Sequence, residues 1–112
     1  MLCAVDVGNS NIVIGLYFGE QWIARWRVAT VTERTVDEYW LLLRSLFREH
    51  SIDLSDVSRT VLSSVVPELT GSMYTVLERF GSAPPLLVSV QLNTGLEFGT
   101  ENPREMGADL LA

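Results

Sequence analysis

The chain has 112 residues, of which 47% are hydrophobic and 20% charged, the proportions of a single globular domain and not of a disordered or membrane chain. Its net charge is −6 and all eight basic residues are arginine, so a lysine-dependent P-loop and a Schiff-base mechanism are both excluded within these residues. An acidic, dispersed charge pattern argues against a nucleic-acid partner, and no apolar run is long enough to span a bilayer as a helix.

The opening run, Met1 to Val5, lacks the basic start of a signal peptide and meets Asp6 too soon. It reads instead as a first strand, Leu2 to Asp6, followed by strands Asn11 to Phe18 and Gln21 to Ala29. Gly19-Glu20 is a hairpin turn, and the short connections make an antiparallel meander. Trp22, Ala24, Trp26 and Val28 alternate with polar partners such as Arg25 and Arg27, which places both tryptophans on one buried face. Cys3 reads as a buried structural thiol, because nothing basic flanks it. A lone cysteine also fits a reducing, cytoplasmic home.

Between the first two strands lies Asp6-Val7-Gly8-Asn9-Ser10-Asn11. Glycine lets the backbone approach an anion closely and reach φ > 0, while Asn9, Ser10 and the turn amides supply donors. Asp6 can sit beside a polyphosphate only with a cation between them, and hydrated Mg²⁺ needs just one or two carboxylates. Hairpins also carry Gly-Asn or Asn-Ser for conformational reasons alone, so two readings stand on these residues.

A helix opens at Thr35, whose spacing to Glu38 is that of a capping box. Val36, Tyr39, Trp40, Leu43, Leu46 and Phe47 form its apolar stripe, and His50 closes it, where a cation suits the negative end of the dipole. Asp53 and Asp56 read as a turn or a cap, not a metal site. A strand from Arg59 to Ser63 follows, then a helix from Pro67 with Leu69, Met73, Val76, Leu77 and Phe80 on its apolar face and Gly81 as its stop. Pro84-Pro85 introduces a strand, Leu86 to Val90. An extended segment, Thr94 to Phe98, precedes a helix opened by Asn102-Pro103-Arg104-Glu105.

The order βββαβαβα predicts an α/β mixed sheet with helices packed on its faces, the layout of a ribonuclease-H-like lobe. The last helix, from about residue 103, reads as cut in mid-course, so residues 1–112 are expected to be one lobe of a longer, two-lobed protein. Within it Gly107 costs about 1 kcal/mol relative to alanine, which suits close approach of a ligand or another backbone. Glu105 and Asp109 share a helix face. They admit two readings: a solvated face, or a carboxylate with a raised pKa poised as general base for a hydroxyl.

Asp6-Val7-Gly8-Asn9-Ser10-Asn11, Ser63-Ser64-Val65-Val66-Pro67, Thr94-Gly95-Leu96 and Asn102-Pro103-Arg104-Glu105-Met106-Gly107-Ala108-Asp109, in this order, resemble the N-terminal half of a type III pantothenate kinase. Thr35-Val36-Asp37-Glu38-Tyr39 also fits, and the resemblance covers the whole chain. Such kinases belong to the acetate and sugar kinase/Hsc70/actin superfamily, whose two ribonuclease-H-like lobes close around ATP. The resemblance implies that Asp6, Val7, Gly8, Asn9, Ser10, Asn11, Ile12 and Val13 form a phosphate-binding loop, with Asp6 organising Mg²⁺ through water. It implies that Asp109 is the base for pantothenate's hydroxyl and that Thr100, Gly107, Ala108, Asp109 and Leu110 meet the substrate. It further implies in-line phosphoryl transfer, a monovalent cation, K⁺ or NH₄⁺, and a homodimer.

The chain departs from the family pattern at Leu110, where arginine follows the aspartate, at Thr100, where tyrosine is common, and at Glu101, where aspartate is. An arginine-to-carboxylate contact is charge-assisted and an alkyl group cannot replace it. The second lobe, with its own phosphate motif, cation-binding aspartate and adenosine contacts, is absent from these residues. Two other readings follow: a nucleotide-binding or regulatory module without catalysis, which Leu110 suits, and a ribonuclease-H-type nuclease. The nuclease needs further carboxylates to hold two metals, whereas the strand from Arg59 to Ser63 ends in serines.

Overall fold

The computed structural model describes residues 1–80 and 83–88. Strands β1 (Leu2–Val7), β2 (Asn11–Phe18) and β3 (Gln21–Ala29) lead into helix α1 (Val36–Glu49); a 3₁₀ turn, Leu54–Asp56, precedes β4 (Arg59–Ser64), α2 (Pro67–Glu78) and β5 (Leu86–Val88). They form one sheet in the order β3-β2-β1-β4-β5. The β1–β2 and β2–β3 pairs are antiparallel, while β1–β4 and β4–β5 are parallel. The mixed sheet expected from the element order is therefore present. The extended segment and final helix expected after residue 93, the stop at Gly81 and the last two positions of the fifth strand lie outside the described residues.

Period-two alternation sends Cys3, Val5 and Val7 of β1 and Ile12, Ile14 and Leu16 of β2 to one face. There they meet Tyr39, Leu43 and Phe47 of α1 and Leu69, Met73, Val76 and Leu77 of α2 in one buried core. Both described helices thus share a face of the sheet. An aromatic ladder ties them together: Trp26 stacks on Phe47 at 5.5 Å, Phe47 on Phe80 at 5.4 Å, and Phe80 meets Trp40 at 5.0 Å. Phe80 reaches this ladder from beyond α2, whose last residue is Glu78.

The capping box forms as the sequence predicts: Glu38 N–H donates to Thr35 Oγ1 at 3.2 Å, and Thr35 N–H to Glu38 Oε1 at 2.8 Å. At the other end His50 is the C-cap, its Nδ1 lying 3.2 Å from both Trp26 Nε1 and Leu46 O. Ser51 follows at φ 57°, and Ile52 N–H donates to Phe47 O while Ser51 N–H donates to Arg48 O. That is a Schellman motif with serine where glycine is usual.

One expectation fails for a local reason. Trp22 and Trp26 do not share a face, because the β2–β3 register slips between Leu16↔Ala24 and Tyr17↔Trp22. The extra residue is a β-bulge, and it flips every side chain beyond it. Trp26 joins the helical core, whereas Trp22 packs with Ala4 and Val13 on the opposite face and meets Tyr17 edge-on at 4.9 Å. Among the described residues no helix is long and apolar enough to cross a membrane.

Candidate functional site

The β1–β2 ladder ends at Val7↔Ile12, leaving Gly8, Asn9 and Ser10 as the connection. Gly8 N–H donates to Asn11 O at 2.9 Å and closes the turn. Thr30, just past β3, reaches back: its Oγ1 donates to Gly8 O at 2.8 Å and its N–H to Ser10 O at 3.0 Å. The carbonyls of residues 8, 10 and 11 are thus all engaged. Among the described residues the amides of exposed Asn9 and Ser10 have no acceptor. Exposed amides beside satisfied carbonyls are an arrangement that anion-binding turns use.

One of the two reasons expected for glycine, a positive φ, does not hold. Gly8 does not have positive φ; among the described glycines only Gly19 does. What demands the missing side chain is proximity, since a Cβ at Gly8 would lie 3.1 Å from Asn11 O. Of the eight residues expected to hold phosphate, Val7, Ile12 and Val13 are buried. They serve the loop by fixing its strands, and Gly8 to Asn11 form its accessible part.

Asp6 is half-buried on the sheet face opposite the helices, in register with Val13 on β2 and Ser63 on β4. Among the described residues no group of three or more His, Cys, Asp or Glu could chelate a metal. A single carboxylate beside a turn of exposed amides has the chemistry of a site for a cation that keeps its waters, as Mg²⁺ does.

The Ser63-Ser64-Val65-Val66-Pro67 stretch ends β4 beside this loop. Val65 N–H donates to Val7 O at 3.0 Å, joining the two strand ends. Ser64 Oγ accepts from Val66 N–H at 3.1 Å and from Thr70 Oγ1 at 2.9 Å, which fixes the entry to α2. Ser64, Val65, Pro67, Thr70, Leu87 and Val88 line a cavity of about 410 Å³ at the carboxyl ends of β4 and β5, the edge where open α/β sheets receive ligands.

A second cavity, about 340 Å³, is lined by Arg44, Arg48 and Asp53 among others at the C-terminal end of α1. Asp53 there is a cap, as expected: its Oδ1 accepts from the N–H and Oγ of Ser55, both at 2.9 Å, and these bonds hold its carboxyl below the usual range. Cys3 is fully buried, and burial pushes its thiol up to about 12. It is inert, as its apolar flanks suggested. Thr100, Gly107, Ala108, Asp109 and Leu110 lie outside the described residues. Thr30 was missed altogether, and no local pattern marks it, because its carbonyl partner lies 22 positions away.

The architecture is ribonuclease-H-like, the class of lobe from which the acetate and sugar kinase/Hsc70/actin superfamily is built. In structure the chain is similar to a ROK hexokinase from Thermus thermophilus, with TM-score 0.58 and 16% identity over 87% of this chain and 36% of that one. It is likewise similar to YeaZ from Pseudomonas aeruginosa, with TM-score 0.57 and 16% identity over 95% of this chain and 49% of that one. Such distant likeness establishes the fold only.

The chain belongs to the type III pantothenate kinase family, whose model matches residues 2–112. The type III pantothenate kinase of Geobacter sulfurreducens is 43% identical over 109 residues, which cover 97% of this chain and 43% of that protein. The chain therefore spans less than half the length of this curated relative.

Proposed function

We propose that residues 1–112 form the N-terminal lobe of a two-lobed kinase that transfers the γ-phosphate of ATP to pantothenate, giving 4′-phosphopantothenate in the first step of coenzyme A biosynthesis. The observation that carries this reading is the family match over residues 2–112, which falls on a loop whose amides suit phosphate. In this reading Asp6 to Val13 cradle one side of the nucleotide. Mg²⁺, when bound, would neutralise charge on the phosphates, and Asp6 would hold it through water. Asp109 takes the proton from the attacking hydroxyl, and Thr100, Gly107, Ala108 and Leu110 shape the pantothenate pocket. Positioning and charge neutralisation supply most of the catalysis.

The same reading includes a monovalent cation, K⁺ or NH₄⁺, a homodimer, a cytoplasmic setting, and no nucleic-acid or membrane partner. Since adenosine contacts and a second phosphate motif belong to the other lobe, residues 1–112 alone are expected to show no pantothenate phosphorylation. Robust turnover by the purified 112-residue chain would overturn the two-lobe assignment. In a protein completed by a second lobe, Asp109→Asn should abolish most turnover while sparing ATP binding, and unchanged turnover would remove Asp109 from the role of base. Asp6→Asn should weaken Mg-ATP engagement, so an unaltered Mg²⁺ dependence would count against its role.

Leu110 supports a second reading, a nucleotide-binding module without catalysis. The completed protein would then bind ATP yet stay inactive even after Leu110→Arg.

A further inference from the structure

We propose that Thr30 is a positioning residue for the phosphate loop, and that the Tyr39 hydroxyl on α1 holds Thr30 in place. The proposal rests on the phosphate-loop reading and goes beyond it by naming what aims the amides.

A peptide unit is planar and trans, so its C=O and the following N–H point in opposite directions. Gly8 C=O and Asn9 N–H share one such unit, and Ser10 C=O and Asn11 N–H share another. Thr30 holds both carbonyls, Gly8 O through Oγ1 at 2.8 Å and Ser10 O through its own N–H at 3.0 Å. Drawing the Gly8 carbonyl to Thr30 turns the exposed Asn9 amide of the same peptide unit away from Thr30, and the hold on Ser10 O fixes the other end of the connection. An untethered Gly-Asn-Ser connection could rotate either peptide and present a carbonyl to the phosphate, which repels it. One threonine therefore sets the sign of the surface the anion meets.

Thr30 lies outside regular structure and needs an anchor of its own. Tyr39 provides it. Its ring is fully buried, and its hydroxyl accepts from Val31 N–H at 3.1 Å while donating to Val31 O at 2.7 Å. Both backbone groups of the residue after Thr30 are thus fixed by a single side chain. Tyr39 is held in turn by α1, which the Thr35–Glu38 capping box starts four residues earlier. Orientation of the loop passes from α1 through Val31 and Thr30 to Gly8 and Ser10.

Thr30→Val keeps the shape and the backbone N–H, suits extended backbone and removes only the Oγ1 donor. Thr30→Ser restores that donor. The test is titration of the ¹⁵N-labelled 112-residue chain with magnesium tripolyphosphate, read from the backbone amides of residues 8–11. The unsubstituted chain should show saturable shifts there. Thr30→Val should displace the Asn9 amide signal even without anion and weaken binding about tenfold, as befits losing an orienting hydrogen bond, while Thr30→Ser stays within about threefold. A merely structural role would lower unfolding stability in urea without weakening anion binding by the folded chain.

Equal affinity for Thr30→Val and the parent overturns the proposal and leaves the phosphate reading standing. No shift at residues 8–11 in the parent overturns both. Should Thr30→Val fail to fold, Tyr39→Phe carries the test. Loss of its hydroxyl should weaken binding about threefold, and unchanged affinity overturns the proposal.

Discussion

Gly8→Ala separates two reasons for a glycine that sequence cannot tell apart. Gly8 is not at positive φ, so alanine is free to adopt its backbone conformation. The smaller entropy of the unfolded chain then stabilises the variant by about 0.4–1 kcal/mol. Against this, the new Cβ lands 3.1 Å from Asn11 O, the same carbonyl that accepts the Gly8 N–H at 2.9 Å. That carbonyl belongs to the backbone and must withdraw by a few tenths of an ångström, weakening a bond whose net worth is about 1 kcal/mol. The two effects nearly cancel, and unfolding free energy in urea should change by less than about 1 kcal/mol. Anion binding should not be spared, because the displaced carbonyl opens the turn that presents the amides. Magnesium tripolyphosphate affinity is expected to fall several-fold at nearly constant stability. A stability loss above about 2 kcal/mol would mean that the position has a conformational demand after all, and unaltered affinity at unaltered stability would show that the close approach has no bearing on the loop.

Ser51→Gly should stabilise the chain by about 1 kcal/mol, because serine occupies the left-handed C′ position of the α1 Schellman motif at φ 57°; calorimetry should then show a melting point higher by about 4–8 °C, and no rise would refute the strain. Glu20→Gly should act in the same direction, since Glu20 has φ 67° and forms the hairpin turn with Gly19, φ 61°. Cys3 has a folded-state pKa raised above that of the exposed thiol, so its contribution is complete below the unfolded pKa near 9 and is lost as pH rises toward about 12. Cys3→Ala should flatten that alkaline loss of stability, and at neutral pH a thiol reagent should label Cys3 only as fast as the chain opens; immediate labelling of the folded chain would refute its burial.

Elements governed by local chemistry were legible in the sequence. Thr35 and Glu38 specify a helix start within four residues, and the alternation of β1 and β2 survives intact in their buried face. The sequence failed where the cause is a pairing partner. Nothing in the chain marks the slip opposite Tyr17 that parts Trp22 from Trp26, because a bulge is a property of two strands together. Gly8 was expected to reach positive φ and does not; the atom that crowds a side chain there is the Asn11 carbonyl, which comes close only after the loop has closed. Thr30 escaped notice, and Tyr39 was read only as part of the apolar stripe, because their roles depend on contacts that exist only once β3 and α1 flank the first turn. The cluster around Asp109 rests on resemblance and lies outside the described residues.

The bulge in β3 has a bearing on solubility. β3 is an edge strand of nine residues, and a long flat edge offers its unpaired backbone groups to any other strand, which is how sheets join edge to edge and aggregate. Here the register shift near Trp22 interrupts the ladder, and a bulge of that kind bends its strand and strengthens the local twist, which makes that end a poor template. A second copy of the same edge would meet a mismatched backbone there. The defect that misled the placement of the tryptophans also disfavours edge-to-edge strand pairing at that end of the sheet.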